Sequence, residues 1–466
     1  MTSLQEAESK LFGTKGMLFR SDKYSQVYLK HIPFMINDDE KIVCMPNTRE
    51  ICHSGAVGAT GTGKGIFGNS LLVYKYWMNR TPSIILNDYQ KETHENSLPC
   101  INNYFMGVNK MFHVNPTPLP IVYVHPYHKE LNVSEDEEPF PHINISLPTR
   151  LIIQQIEKFF KLDKSARYVT GYIERFQDCK DIEEIEEVID GILDEKFPDK
   201  KDKGYEEMKF KIVTTFKNIF DEKIVQGPPE AHSFLTVRRK ETSDWPNRKG
   251  LNEYYNYSIQ SLIAAGFIPS IQTGDICDKY WFTAYMAFVV KSLFDDKFKD
   301  VEFFKNNNLF MYTPEIDKMW VDRHNPKLIK DSLGKIGTNG RTAGIEFCWD
   351  SQNYDIIPKS IRDNTKNLIV MNPGRREQAA GIQKDYSVDK GIVDQMLKLE
   401  TKPKQALFEC IALTRNEYVI YNPSNGRTSY SREPQKGRLL PPLSQHKVPG
   451  IGISEVLEQM RRRQYR

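Results

Sequence analysis

Several features are missing from this chain, and each absence narrows what it can be. No two cysteines stand at Cys-x-x-Cys spacing: Cys44, Cys52, Cys100, Cys179, Cys277, Cys348 and Cys410 are scattered. That argues against a disulfide framework or a zinc cage and suits a reducing compartment. The charge is nearly balanced, 64 basic against 61 acidic residues, so composition alone does not point to nucleic acid. The amino-terminal residues lack the charged-then-apolar pattern of a leader. The longest apolar run, Tyr280–Val290, is shorter than the ~20 residues a membrane-crossing helix needs, so a buried helix is expected there. No internal repeat is visible. The expectation is a soluble, cytoplasmic protein with no transmembrane segment of its own.

What is present is ample core material, 39% hydrophobic and 11% aromatic residues over 466 positions. That suffices for one large α/β domain with an insertion, or for two to three domains. The most informative stretch is Gly58-Ala-Thr-Gly-Thr-Gly-Lys64, followed by Gly65. It has the glycine, four residues, glycine and lysine of a phosphate loop. Its glycines let backbone N–H groups turn inward around phosphate oxygens. Lys64 would reach the outer phosphates, and the next helix would aim its positive end at them. His53–Val57 reads as the strand entering the loop, and Phe67, Leu71, Tyr74 and Met78 recur at helical spacing after it. Gly58, Thr60, Gly61, Thr62, Gly63, Lys64 and Gly65 are therefore the candidate phosphate-binding set.

The rest of the chain divides by pattern. Residues 1–40 form a small N-terminal cap, with Pro33 hinting at an edge strand. Residues 41–149 carry the first part of the α/β core, with strands near Ile84, Ile121–His125 and Ile143–Leu147. Residues 150–264 read as an all-α insertion, its helices marked by Leu151 to Phe159, Ile182 to Leu193 and Met208 to Ile219. Residues 265–425 resume the core with strands at Phe267–Ile271, Leu309–Tyr312, Gly344–Trp349 and Asn367–Met371. Ala406–Ile411 and Tyr418–Tyr421 suggest a closing hairpin. Residues 426–466 look like a tail ending in a basic cluster.

Phosphoryl transfer needs a magnesium site, a carboxylate to position water and a group sensing the γ-phosphate. Glu315, just past the strand Leu309–Tyr312, stands where a water-activating carboxylate belongs. Gln352, past the next strand, suits a γ-phosphate sensor, and Arg341 is expected near the same sheet edge. The usual magnesium ligands are missing: Gly65 replaces the loop hydroxyl and Pro314 the aspartate before the glutamate. If these positions align with that pattern, a metal would be held by phosphates and waters, with Glu315, Asp317 and Asp88 left open as protein ligands.

These blocks resemble the HerA/FtsK superfamily of DNA-pumping ATPases, which includes the conjugative coupling proteins. His53-Ser-Gly-Ala-Val-Gly58-Ala-Thr60-Gly61-Thr62-Gly63-Lys64 is similar to the family's loop. Ile84–Glu92 is similar to its second strand, and Arg341 to Gly344, Gln352 and Ile357-Pro358 through Ile361 to Asn364 are similar to its later block. The resemblance covers roughly residues 41–125 and 265–422. It implies a RecA-like phosphate-loop NTPase core and ATP and Mg²⁺ as cofactors. It further implies a homo-oligomeric, usually hexameric ring around DNA, and a capsid or membrane transfer machine as partner. By position, Lys64 would contact the β- and γ-phosphates, Glu315 activate water and Gln352 sense the γ-phosphate. Arg341, or its rival Arg323, would act on a neighbour's site. The double loss at Gly65 and Pro314 opens a second reading, a scaffold subunit that binds nucleotide without hydrolysing it. A generic phosphate-loop kinase leaves the later block unexplained.

Overall fold

A computed structural model describes residues 31–46, 50–79, 81–88, 121–125, 142–146, 182–197, 203–220, 236–238, 254–255, 259–264, 266–272, 307–317, 326–402 and 407–440, apart from short gaps and a few further positions. The strands are β1 (His31–Asn37), β2 (Ile42–Pro46), β3 (His53–Val57), β4 (Ser83–Asp88), β5 (Ile121–His125), β6 (His142–Ser146), β7 (Thr236–Arg238), β8 (Tyr254–Tyr255) and β9 (Ile268–Gln272). They continue with β10 (Leu309–Thr313), β11 (Ile345–Ser351), β12 (Thr365–Val370), β13 (Thr401–Lys402), β14 (Leu407–Thr414), β15 (Tyr418–Asn422), β16 (Arg427–Ser431) and β17 (Gln435–Leu439). The helices are α1 (Lys64–Asn79), α2 (Ile182–Lys196), α3 (Lys203–Phe220), α4 (Ile259–Ala264), α5 (Pro326–Ala343), α6 (Lys359–Asn364), α7 (Arg376–Tyr386) and α8 (Gly391–Leu397).

The centre is a parallel sheet in the order β6–β5–β9–β4–β10–β11–β3–β12. Strands covered on both faces tend to read as continuous apolar runs, and β10 is the clearest case: Leu-Phe-Met-Tyr-Thr, buried throughout. Alternate residues feed two core layers. Ile84, Leu86, Leu309, Met311, Ile345, Phe347 and Trp349 join one layer with the insertion residues Ile185, Ile189, Ile192 and Leu193. Ile85, Phe310, Tyr312 and Cys348 join the other, with Phe67, Leu71, Leu72 and Tyr74 of α1. Each such side chain contributes about 1.5–3 kcal/mol on burial. Helix α1 lies so close to the sheet that a Cβ on Gly68 would sit 2.3 Å from the Tyr312 ring. A buried ion pair, Lys75 Nζ to Glu346 at 2.7 Å, also joins α1 to β11.

Beyond β12 the sheet turns antiparallel, in the order β14–β17–β1–β2–β15–β16. Four expectations change here. Strands β14 and β15 follow each other in sequence but do not form a hairpin. Among the described residues β14 pairs with β12, β13 and β17, and β15 with β2 and β16. The two-residue alternation that marks a strand says nothing about its partner. Strand β1 is flanked on both sides rather than at an edge, and Pro33 is accommodated at a register shift between Pro33 and Met35. Residues 31–37 are therefore built into the sheet rather than capping it. Strands β16 and β17 occupy the start of what reads as a tail, and Leu439 and Leu440 are buried. The insertion holds α2 and α3 as expected, but it also carries β7 and β8, which extend the sheet from β6. The first expected insertion helix, Leu151 to Phe159, and the basic carboxyl end lie outside the described residues.

Candidate nucleotide-binding and hydrolysis site

Strand β3 runs straight into the glycine loop, and α1 begins at Lys64. The loop hangs from both neighbouring strands. The Gly58 N–H donates to the Ser351 carbonyl at 3.3 Å, and the Ala59 N–H to the Asn372 carbonyl at 2.9 Å. Three donors converge on the Ala59 carbonyl oxygen: the Thr62 hydroxyl at 2.7 Å, Lys64 Nζ at 3.1 Å and the Thr62 N–H at 3.4 Å. The loop thus gathers a hydroxyl, an ammonium and a backbone N–H around one oxygen, the donor set that a phosphate oxygen requires. Gly63 has φ +94°, and a Cβ there would lie 2.6 Å from Phe408 Cδ1 on β14. Lys64 is buried within this arrangement.

The acids arrive from β10 and β11. Glu315 sits two residues past β10 with a left-handed φ of 44°. Its N–H donates to Asp350 Oδ1 at 2.9 Å, and the Tyr312 hydroxyl donates to Asp350 Oδ2 at 2.7 Å. Gln352 then spans two elements. Its Nε2 donates to Glu315 Oε1 at 3.0 Å, and its Oε1 accepts from the Thr60 hydroxyl at 3.0 Å. Asp317 Oδ1 accepts from the Gln352 N–H at 3.3 Å. Burial pushes the Asp317 carboxyl above its ordinary range, opposed by backbone N–H groups, the Ser351 hydroxyl and the nearby Lys64 charge.

The expected residues therefore split. Thr60, Lys64, Glu315 and Gln352 come together at the carboxyl ends of β3, β10 and β11. Arg341 does not join them: it lies near the carboxyl end of α5, before β11 begins, and pairs with Glu50 ahead of β3. That is the opposite end of the parallel strands, because the turn from α5 into β11 delivers the chain to the sheet's amino edge. Arg323 lies outside the described residues, as does the Asp88 side chain.

The histidine that opens the loop block is structural. His53 Nδ1 accepts from the Phe347 N–H at 3.1 Å, and the ring also hydrogen-bonds the Ile336 backbone. The Ile357 to Asn364 block is structural as well: Ile357 and Ile361 are buried, and Asn364 Nδ2 donates to the Ser360 carbonyl at 2.8 Å, closing α6. Sequence reading did not single out Asp350. The available signal was polarity: Glu346, Cys348 and Asp350 alternate on the face of β11 toward α1, placing two acids in an otherwise apolar strand.

A glycine loop between a central parallel strand and a helix, with β11 intervening between the loop strand and acid-bearing β10, defines the class. This is an α/β protein with a RecA-like phosphate-loop NTPase core. No protein-family model matches the chain, and no curated protein does. Among solved structures it is similar to VirB4 of Thermoanaerobacter pseudethanolicus, with 12% identity, TM-score 0.48, and 88% of this chain and 96% of that one covered. The bacterial conjugative coupling protein TrwBΔN70 aligns at 11% identity and TM-score 0.41 over 92% of this chain and 86% of that one. The genome packaging NTPase B204 of Sulfolobus turreted icosahedral virus 2, in complex with AMPPCP, aligns at 10% identity and TM-score 0.22 over 37% of this chain and 70% of that one.

Proposed function

We propose that the chain is an ATP-dependent DNA translocase, working as a homo-oligomeric and usually hexameric ring in DNA transfer, packaging or segregation. The observation that carries the enzymatic half is the chain of contacts from Thr60 through Gln352 to Glu315, with Lys64 and Asp317 at the same sheet edge. The DNA half rests on the HerA/FtsK-like blocks in the sequence. A cytoplasmic location, and a capsid or membrane machine as partner, belong to the same reading.

In this reading the ATP phosphates enter the loop, and Lys64 exchanges the Ala59 carbonyl for phosphate oxygen. Gln352 holds the attacking water and the γ-phosphate in register, and Glu315 accepts the water's proton. Such catalysis is mainly positioning and charge neutralisation. The magnesium ion is the point of stress, because Gly65 and Pro314 offer no ligand. Asp317 fits instead: it is buried at the same edge, in the field of Lys64. Mg²⁺ is commonly bound by one or two carboxylates plus substrate phosphates. The ion would supply further neutralisation of phosphate charge. Arg341, at the opposite edge, keeps in this reading the role of acting on a neighbouring subunit's site.

The test is ATP turnover by the full chain with and without DNA, with the oligomer's mass measured in the same sample. DNA-stimulated phosphate release abolished by Lys64→Ala is the expected result. ATP binding without turnover would favour the scaffold reading, which Gly65 and Pro314 motivate. Absence of both nucleotide binding and DNA association would refute the proposal. DNA affinity should also fall steeply with salt, as phosphate contacts require.

A further inference from the structure

We propose that Asp350 is a positioning residue for the Glu315 carboxylate, acting through the Glu315 backbone; this rests on the reading of Glu315 as the base. A residue other than glycine in the left-handed region is strained and persists only where its surroundings enforce it. Glu315, at φ 44°, is one of three among the described residues, with Glu40 and Ser387, and it immediately follows Pro314. What faces its N–H is a carboxylate at 2.9 Å, a charge-assisted bond stronger than a neutral one. Asp350 is only 1% exposed, and its other oxygen takes the Tyr312 hydroxyl at 2.7 Å. The Tyr312 ring, carried by β10, lies against Gly68 of α1. Strand β11 thus reaches sideways and fixes the turn that leaves β10.

The consequence is geometric. Reversal of the backbone at Glu315 brings its carboxylate back toward β11, where Gln352 Nε2 meets it at 3.0 Å. Asp317, two residues on, turns to the same edge and accepts from the Gln352 N–H. One buried acid therefore orders the turn that brings the base, the sensor and the candidate metal carboxylate to one edge. It also supplies an anchor to a turn where proline stands in place of the usual aspartate.

Asp350→Asn tests this, because it keeps the shape and removes the charge. Two readouts are paired. Hydrogen exchange should accelerate about tenfold at the Glu315 amide while peptides elsewhere stay unchanged. ATP turnover should fall about tenfold in kcat with KM for ATP nearly unchanged, and the loss should vanish in a Glu315→Gln background. Tyr312→Phe, a milder change, should move both readouts in the same direction by less. Unchanged exchange at Glu315, a loss additive with Glu315→Gln, or a parallel fall in melting temperature and ATP affinity would overturn the proposal. A wild-type chain that shows no turnover would refute the hydrolysis reading alone, and the exchange measurement would then decide the role of Asp350.

Discussion

Lowering the pH should weaken this fold through His53, and the size of the effect follows from its surroundings. The ring is 4% exposed at the amino end of β3. Burial is the main cause that lowers its pKa from 6.5 to about 4; Lys366 and Arg341 add to it, and the hydrogen bond to the Ile336 backbone opposes it. The unfolded chain therefore binds this proton more readily than the folded one between those values. Stability is fully present above about pH 6.5 and is lost as pH falls toward 4. The full difference, at about 1.4 kcal/mol per unit, is about 3 kcal/mol, and roughly 2 kcal/mol of it is spent between pH 7 and pH 5. Denaturant midpoints at those two pH values, for the wild type and for His53→Gln, isolate the term. The variant should be less stable at pH 7 and should lose about 2 kcal/mol less than the wild type on acidification. Equal pH slopes in the two proteins, or an imidazole that titrates at or above 6.5 by NMR, would refute the reasoning.

Two further outcomes test the site. Gly63→Ala should cost about 1–3 kcal/mol from φ and from the clash with Phe408; ATP titration should show weaker binding, with Phe408→Leu recovering only the clash. Asp317→Asn should reduce the Mg²⁺ dependence of ATP affinity, and Mn²⁺ added with ATP should lose its electron paramagnetic resonance signature of protein binding. An unchanged Mn²⁺ signal would remove Asp317 from the metal reading.

Local order was legible in the sequence wherever one physical rule decided it. The phosphate loop was readable because only glycine-rich backbone turns tightly enough to present its N–H groups. The central strands were readable because burial on both faces leaves runs such as Leu309–Tyr312. Long-range placement was not. Nothing in Tyr418–Tyr421 states that its partner is β2 rather than β14. Nothing near Arg341 states that α5 ends at the amino edge of the sheet. Glu315 and Gln352 could be chosen because strand ends carry ligand-facing residues in parallel sheets. Asp350 escaped because its role is to hold a backbone N–H, and the one trace of it in the sequence is the polarity of β11. His53 and Asn364 were the opposite case: both belong to the blocks that resemble a motor family, yet in the structure they bind strands and close a helix.

The interlaced antiparallel half has a consequence for synthesis. Strands β1 and β2 emerge early, yet their outer partners, β17 and β15, lie nearly four hundred residues later. At about 5–20 residues per second, a ribosome leaves that early pair waiting on the order of 20–80 seconds. Through that interval Phe34, Met35, Val43 and Cys44, all fully buried in the finished protein, lack the strands that cover them. The nascent chain is therefore at its most vulnerable to association with other chains before β14 to β17 emerge. The glycine loop shares the delay, since Phe408 closes over Gly63 only when β14 arrives. Nucleotide competence and protection of β1 and β2 should consequently appear together, once β14 to β17 have emerged.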